Sequence, residues 1–140
     1  MKKFFLIIIT CSFFACTDSN IDNNCVPFIG VDETINLDLP QYTNLLVPSG
    51  WAYASGGQQG LILYNVNGSQ FKAFDRLCPG QIPSSCSQMF VNSLQMVCPC
   101  NGLKYNLLNG APITEGSTCF AKEYLVRIDY SKSVLRITNF

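Results

Sequence analysis

The feature that most constrains this chain is a set of cysteines in a sequence that contains no histidine. Eight cysteines occur among 140 residues, and four of them fall between positions 78 and 100. In an oxidising compartment an even number of cysteines favours disulfides, whereas in the cytosol the same pattern indicates a metal or catalytic site. The compartment of the chain therefore decides how its cysteines are interpreted.

The N-terminus predicts export and a lipid anchor. Lys2 and Lys3 precede an apolar run over positions 4–14, which is too short for a membrane span but suits a signal peptide. Ala15 and Cys16 then follow the pattern of a lipoprotein cleavage site, which Cys11, inside the run, fits less well. We predict a signal peptide over 1–15, a lipidated Cys16 with a flexible tether over 16–26, and a folded domain over 27–140. The protein is expected in the cell envelope, anchored to a membrane by its acyl chains.

Six cysteines remain when Cys11 is removed with the signal peptide and Cys16 carries lipid. They are Cys25, Cys78, Cys86, Cys98, Cys100 and Cys119. An even number in an exported domain favours a disulfide framework, but six cysteines allow fifteen pairings and their spacing does not choose among them. A reactive dithiol at Cys98-Pro99-Cys100 is disfavoured, because no helix is predicted there to lower a thiol pKa and Lys104 is the only close cation.

Strand patterns dominate the rest of the chain. Short segments rich in strand-forming residues occur at 34–40, 61–66, 71–75, 96–97, 104–108, 123–128 and 134–139, with turn signals at Asn67-Gly68 and Asn109-Gly110. No segment after the leader has a sustained helical period. We predict one all-β domain, an antiparallel sandwich or partial barrel. The charges balance, with 9 Lys and Arg against 9 Asp and Glu, and no basic run exists, so no nucleic-acid partner is expected.

Two short segments together resemble the cluster loops of the Rieske 2Fe-2S domain family. They are "FDRLCPG" at 74–80 and "CPCNGLKYNLLNGAP" at 98–112. That family carries Cys-x-His on one loop and Cys-Pro-Cys-His-Gly on the other. The resemblance covers positions 33–138 and implies a Rieske-like all-β fold with a two-loop, cysteine-rich subdomain. The chain also resembles lipoproteins of the Bacteroidota that carry degenerate Rieske motifs.

Only two of the family's four ligand positions carry a ligand residue in this chain. Cys78 and Cys98 match the family's two cysteine ligands, whereas Gly80 and Asn101 stand where the two histidine ligands belong. A Rieske centre holds one iron by two thiolates and the other by two imidazoles. Because the chain has no histidine, the resemblance implies a degenerate site that lacks a Rieske centre.

Three further positions of this chain match residues that surround the cluster in the family. Tyr105 matches the aromatic residue whose hydroxyl supports the cluster, and Leu103 replaces the serine that bonds a bridging sulfur. Gly116 is retained in the place of the family's shielding loop, without the proline that follows it there.

The resemblance also implies a pairing of the cysteines. Cys86–Cys100 would correspond to the family's disulfide between the loops, although Cys86 lies later than the family pattern puts it. Cys78–Cys98 would replace the metal, closing a loop of about twenty residues that is worth roughly 3 kcal/mol. Cys25 and Cys119 would then pair by elimination.

A metal site is the alternative interpretation of the loop cysteines. Four thiolates, from Cys78, Cys86, Cys98 and Cys100, are a sound ligand set for a 2Fe-2S cluster or for zinc. With a 2Fe-2S cluster, the chain would be an electron-transfer protein of the iron–sulfur type.

We expect a disulfide-braced module with a binding or structural role, no cofactor and no catalytic activity. No histidine base exists, and the carboxylates Asp32, Glu33, Asp38, Asp75, Glu115, Glu123 and Asp129 show no pairing by spacing, so each is interpreted as a solvated residue. Trp51, Tyr53, Tyr64 and Phe90 are interpreted as core or edge packing rather than as a binding surface. The expected partners are the membrane, through the lipid anchor, and a protein or small molecule.

Overall fold

The computed structural model describes residues 25–140. The predicted signal peptide, the lipidation site Cys16 and residues 17–24 of the tether predicted over 16–26 lie outside the described residues and stay predictions. The last two tether residues were predicted wrongly, because Cys25 is bonded to Cys119 and Val26 is buried, so both belong to the folded domain. Within the described residues, no helix has the length and apolar character needed to cross a membrane.

Nine strands and one short helix make up the described chain, so the predicted all-β class is confirmed. The strands are β1 Asp32–Asn36, β2 Trp51–Ala54, β3 Leu61–Asn65, β4 Phe71–Asp75, β5 Phe90–Asn92, β6 Gln95–Val97, β7 Lys104–Asn106, β8 Glu123–Asp129 and β9 Val134–Thr138. A 3-10 helix spans Pro40–Leu46. All strand pairs are antiparallel, in a six-stranded sheet of order β1-β9-β8-β4-β3-β2 and a three-stranded sheet of order β5-β6-β7. The larger sheet curls into a half-barrel.

One local prediction was wrong, and three elements were not predicted. The segment predicted as a strand over 34–40 stops at Asn36, because the Asn36 side chain accepts a hydrogen bond from the Asp38 N–H and turns the chain. Pro40 then begins the 3-10 helix, whose first turn tolerates the missing N–H of proline. Strands β2 and β5 carry no strong alternation and were not predicted.

Strand β3 separates two hydrophobic cores. All five of its side chains are buried, with Leu61 and Leu63 in one core and Ile62 and Tyr64 in the other. The first core fills the half-barrel and includes Leu45 of the 3-10 helix. The second core lies between the six-stranded and the three-stranded sheets. Because both faces of β3 are buried, its sequence "LILYN" has apolar residues at four successive positions instead of an alternating pattern.

Candidate functional site

The first cysteine loop follows β4 and is closed by main-chain hydrogen bonds. The Cys78 N–H donates to the carbonyl of Ser87 at 2.8 Å, and the Met89 N–H donates to the carbonyl of Arg76 at 2.6 Å. Leu77 and Gln88 form a β-bridge between these two bonds. The loop therefore continues the strand as a narrow ladder, which fixes the position of Cys78.

The second cysteine loop joins β6 to β7. The Cys98 N–H donates to the carbonyl of Leu103 at 2.9 Å, and the Gly102 N–H donates back to the carbonyl of Cys98 at 2.8 Å. This tight return requires the positive φ of 71° at Gly102, which glycine adopts without strain. The "CPCNG" sequence thus forms a compact turn that points Cys98 into the second core.

Cys78 and Cys98, the two positions that match cluster ligands, are bonded to each other. Their Cα atoms are 5.6 Å apart, and neither residue has any exposed surface. They lie in the core between the two sheets, together with Phe74, Met96 and Tyr105. The bond thus joins the two loops inside a closed apolar environment, where a solvent-borne reductant has no direct access to sulfur.

Cys86 and Cys100 form a second bond between the loops, in a very different environment. Their Cα atoms are 4.9 Å apart, Cys86 is exposed, and Cys100 is half-buried. The Ser84 hydroxyl lies 3.6 Å from the Cys86 sulfur and 3.9 Å from the Cys100 sulfur. This disulfide is the outer of the two links, and Cys98 and Cys100 do not pair with each other.

The third disulfide ties the N-terminal segment to the subdomain. Cys25 is bonded to Cys119, with their Cα atoms 5.8 Å apart, and the carbonyl of Cys25 accepts a hydrogen bond from the Gly80 N–H. Three segments therefore converge here, namely the chain around position 25, the first cysteine loop and the segment before β8. All three pairs are those that the sequence interpretation described.

Asp75 organises the region behind the first loop, and its interpretation as a solvated residue was wrong. The side chain has no exposed surface. Its carboxylate accepts hydrogen bonds from the N–H of Gln58 at 2.7 Å, the N–H of Leu77 at 2.7 Å and the hydroxyl of Tyr124 at 2.8 Å. A buried carboxylate is stable only with such partners. Asp75 thus ties the β2–β3 turn, the first loop and β8 together.

Sequence reasoning missed Asp75 because its donors come from distant parts of the chain. Gln58 and Tyr124 lie 17 and 49 residues away along the sequence. One local signal existed, namely an acidic residue placed directly between the strand "FKAF" and the first cysteine loop. Burial and the hydrogen bond to Asp75 raise the pKa of Tyr124 well above the ordinary range of tyrosine.

Tyr105 is buried beside the inner disulfide with an unsatisfied hydroxyl. The side chain has no exposed surface, and its hydroxyl has no hydrogen-bond partner among the described residues. Burial raises the pKa of Tyr105, and the Ser117 hydroxyl offsets part of that rise without meeting the geometry of a hydrogen bond. A buried polar group without a partner costs free energy. This is the residue whose counterpart, by the resemblance, supports a cluster.

The residues present do not fit a Rieske centre. Gly80 offers no side chain, and a Cβ placed there would meet open space. The Asn101 side-chain oxygen accepts a hydrogen bond from the Leu103 N–H at 3.1 Å, so it shapes its own turn. No histidine exists to supply an imidazole, and the two matching cysteines are bonded to each other. The donor set of a Rieske centre is therefore incomplete in this chain.

Three of the four aromatic residues singled out in the sequence pack in or against the second core. Tyr64 is buried in the second core, and Trp51 and Tyr53 pack against the same core with their ring centres 5.0 Å apart. The Arg76 guanidinium lies 3.8 Å from the centre of the Tyr53 ring, and the Tyr53 hydroxyl accepts a hydrogen bond from the Val91 N–H at 3.1 Å. Partial burial lowers the pKa of Arg76, and Tyr53 opposes that shift. Phe90, the fourth residue of the set, is 41% exposed on β5.

The described residues form an all-β domain with a Rieske-like fold. The chain is similar, at 21% identity and a TM-score of 0.50, to a chain of the complex of reduced oxygenase and oxidized ferredoxin in carbazole 1,9a-dioxygenase. That alignment covers 79% of this chain and 93% of the other. At this level of identity the similarity shows the fold alone.

Two further solved structures are similar in outline. The ferredoxin of carbazole 1,9a-dioxygenase from Nocardioides aromaticivorans IC177 aligns at 16% identity and a TM-score of 0.49, over 81% of this chain and 100% of that one. The E. coli protein NirD aligns at 16% identity and a TM-score of 0.48, over 78% of this chain and 96% of its own. No protein-family model and no curated protein matches the sequence.

Proposed function

We propose that this protein is an exported lipoprotein whose Rieske-like domain is a disulfide-braced, non-catalytic module for binding or for envelope structure. The observation that carries the proposal is the bond between Cys78 and Cys98, which lies where the resemblance puts two cluster ligands. A disulfide consumes both thiolates, and the missing imidazoles leave no other Rieske ligands. The domain keeps the architecture of an electron carrier and uses its cysteines as cross-links.

The redox environment supports this use of the cysteines. A secreted chain meets oxidant in the envelope, where disulfides persist and free thiolates do not. The inner pair is fully buried, which protects it from exchange with other thiols. The outer pair, Cys86–Cys100, closes the same two loops a second time. The partner of such a module is a protein or a small molecule rather than a nucleic acid.

The test is a joint measurement of metal and thiol on the full chain, purified from the cell envelope in mild detergent without reductant. We expect a colourless protein without iron or zinc, and no thiol that reacts with a thiol reagent in denaturant. Peptide mapping should recover the three disulfides intact. A brown protein with about two iron atoms per chain would establish the electron-transfer alternative on Cys78, Cys86, Cys98 and Cys100. One zinc with four free thiols would establish a zinc site.

The lipid anchor has its own test. The Cys16→Ser variant should leave the membrane fraction, because it removes the thiol that we propose carries lipid. Cys11→Ser is the matched control, since it also removes one leader cysteine, and it should remain in the membrane fraction. The opposite result, with Cys11→Ser released and Cys16→Ser retained, would assign the anchor to the other cysteine.

A further inference from the structure

One end of the domain is almost free of charge. Between Leu77 and Leu103 the sequence contains no Asp, Glu, Lys or Arg, and from there to Ala121 it contains only Lys104 and Glu115. The segment from Cys25 to Val31 is also uncharged. These segments form the cysteine loops, the three-stranded sheet and the approach to both. By contrast, β1, β4, β8 and β9 each carry at least one charged residue.

Large apolar side chains are exposed where these segments converge. Phe28 is 78% exposed, Ile82 is 82% exposed and Phe120 is 45% exposed. Phe120 follows the cysteine bonded to Cys25, and Gly80, two residues before Ile82, donates a hydrogen bond to Cys25. The three side chains therefore belong to one end of the domain, which we call the apolar end. Exposed apolar groups gathered in this way indicate a contact surface.

The same end receives the chain from the predicted lipid anchor. Eight residues, 17–24, separate Cys16 from Cys25, and a stretch of that length spans at most about 30 Å when fully extended. Because Cys25 is fixed to Cys119, the connection leaves the domain from the apolar end itself. An acyl anchor on Cys16 would therefore place this end nearest to the bilayer.

The opposite end of the domain has a different character. Strand β8 starts three residues after Phe120 and ends before the turn that contains Tyr130. Seven residues of strand extend about 20 Å. The turn at this far end carries Asp129 and Lys132, paired at 3.6 Å, and it faces solvent. The β8–β9 turn thus carries charged side chains, which the cysteine loops lack.

We propose that the apolar end rests on the membrane surface, with Phe28, Ile82 and Phe120 inserted at the level of the lipid headgroups. This inference rests on the proposed lipid anchor at Cys16 and assigns an orientation to it. The anchor and the apolar end then act as two linked contacts with one bilayer, so the second forms at a high effective concentration. The polar, charged strands and the β8–β9 turn face away from the membrane, where a partner has access to them.

The absence of charge predicts how this contact responds to lipid composition. Basic surfaces bind anionic lipids, and that attraction weakens in salt. The apolar end has no cluster of Lys or Arg, so its contact with lipid comes from apolar burial. Its membrane contact should be the same on zwitterionic and on partly anionic bilayers, at low and at high salt.

The experiment measures depth in the membrane with tryptophan and brominated lipid. The full lipidated chain is reconstituted in phosphatidylcholine vesicles, in a background where Trp51, the only tryptophan, is replaced by Phe. Phe28→Trp places a probe at the apolar end, and Tyr130→Trp is the matched control at the far end, where the side chain is 63% exposed. Quenching at position 28 should exceed quenching at position 130 by at least about threefold, and added salt should leave the ratio unchanged.

A second variant shows that the apolar side chains themselves cause the contact. In the background with the probe at position 28, Ile82→Ser with Phe120→Ser should lower quenching by at least about twofold. Both positions are on the surface, so the three disulfides and the far-ultraviolet circular dichroism should be unchanged. An unchanged quenching ratio in this variant would refute the insertion.

The outcomes separate the two proposals. Equal quenching at positions 28 and 130 in chains that carry lipid would overturn the proposed orientation but not the lipid anchor. The apolar end would then be interpreted as a contact surface for a protein partner. A chain that carries no lipid and does not sediment with vesicles would overturn both. Quenching that depends on anionic lipid and disappears in salt would show an electrostatic contact and contradict the apolar one.

Discussion

The half-barrel and the cysteine subdomain are stabilised in different ways. The half-barrel has strands of four to seven residues around a core that includes Leu45, Leu63 and Leu135. The subdomain has three strands of three residues each, and two disulfides join its loops. Strands this short bury little surface, and small units of structure commonly need covalent links. The comparison teaches that the disulfides supply covalent links where the strands are too short to build a large core.

The largest effect should come from removing cross-links. On the chain-entropy model, Cys25→Ser with Cys119→Ser should lower the free energy of unfolding by about 4–5 kcal/mol, because this bond closes the longest loop. Cys78→Ala with Cys98→Ala should cost about 3 kcal/mol, and Cys86→Ser with Cys100→Ser a similar amount. Urea unfolding followed by Trp51 fluorescence gives these values.

Hydrogen exchange shows where the disulfide variants loosen. Without the Cys78–Cys98 bond, the amides of β5, β6 and β7 should exchange faster than those of β3 and β8, since the half-barrel has its own core. Uniform acceleration in both regions would show that the protein unfolds as one cooperative unit and would remove the distinction between them.

Asp75 joins the two regions, so its removal should be the next largest effect. Asp75→Ala leaves the N–H groups of Gln58 and Leu77 and the Tyr124 hydroxyl without their acceptor in a buried place. We expect a loss of about 3 kcal/mol in the free energy of unfolding. Asp38→Ala is the control, because Asp38 is exposed, and it should change the value by less than about 0.5 kcal/mol. Similar losses in both variants would contradict the role of Asp75.

Substitutions of two buried tyrosines should change the free energy of unfolding by smaller and different amounts. Tyr124→Phe removes a hydroxyl that donates to Asp75 and should cost about 1–2 kcal/mol. Tyr105→Phe removes a hydroxyl without a partner among the described residues and should be neutral or stabilising by up to about 1 kcal/mol. Thermal and urea unfolding of the two variants are compared directly. A clear loss in Tyr105→Phe would show that the hydroxyl does have a hydrogen-bond partner, such as the Ser117 hydroxyl.

The smallest effect is the response to alkaline pH. Because the folded state raises the pKa of Tyr124, this hydroxyl stays protonated at a pH where the unfolded chain, with a tyrosine pKa of about 10, begins to lose its proton. Stability is therefore unaffected below about pH 10 and falls above it, by at most about 1.4 kcal/mol per pH unit for this group. Tyr124→Phe should flatten this decline, whereas a substitution at exposed Tyr130 should not. Thiol assays check that the disulfides remain intact.

Much of the fold could be predicted from local patterns. The strands β3, β4, β8 and β9 appear as apolar or alternating runs, and Asn67-Gly68 and Asn109-Gly110 mark real turns. The motifs around Cys78 and Cys98 located the candidate site and its missing histidines. The sequence analysis missed β2, β5 and the 3-10 helix, whose sequence patterns are weak. These elements depend on contacts with neighbouring segments, which a single segment does not encode.

By itself, the sequence determined the all-β class, the supply of six cysteines from Cys25 onward, the absence of imidazole ligands and the charge-free stretch from Leu77 to Leu103. These are properties of composition and order, so no fold is needed to read them. Only the tertiary structure decided which sulfurs meet, that Asp75 is a buried hub and that Phe28 and Phe120 share one end of the domain. Such relations join residues far apart in the chain, and only packing brings them within bonding distance.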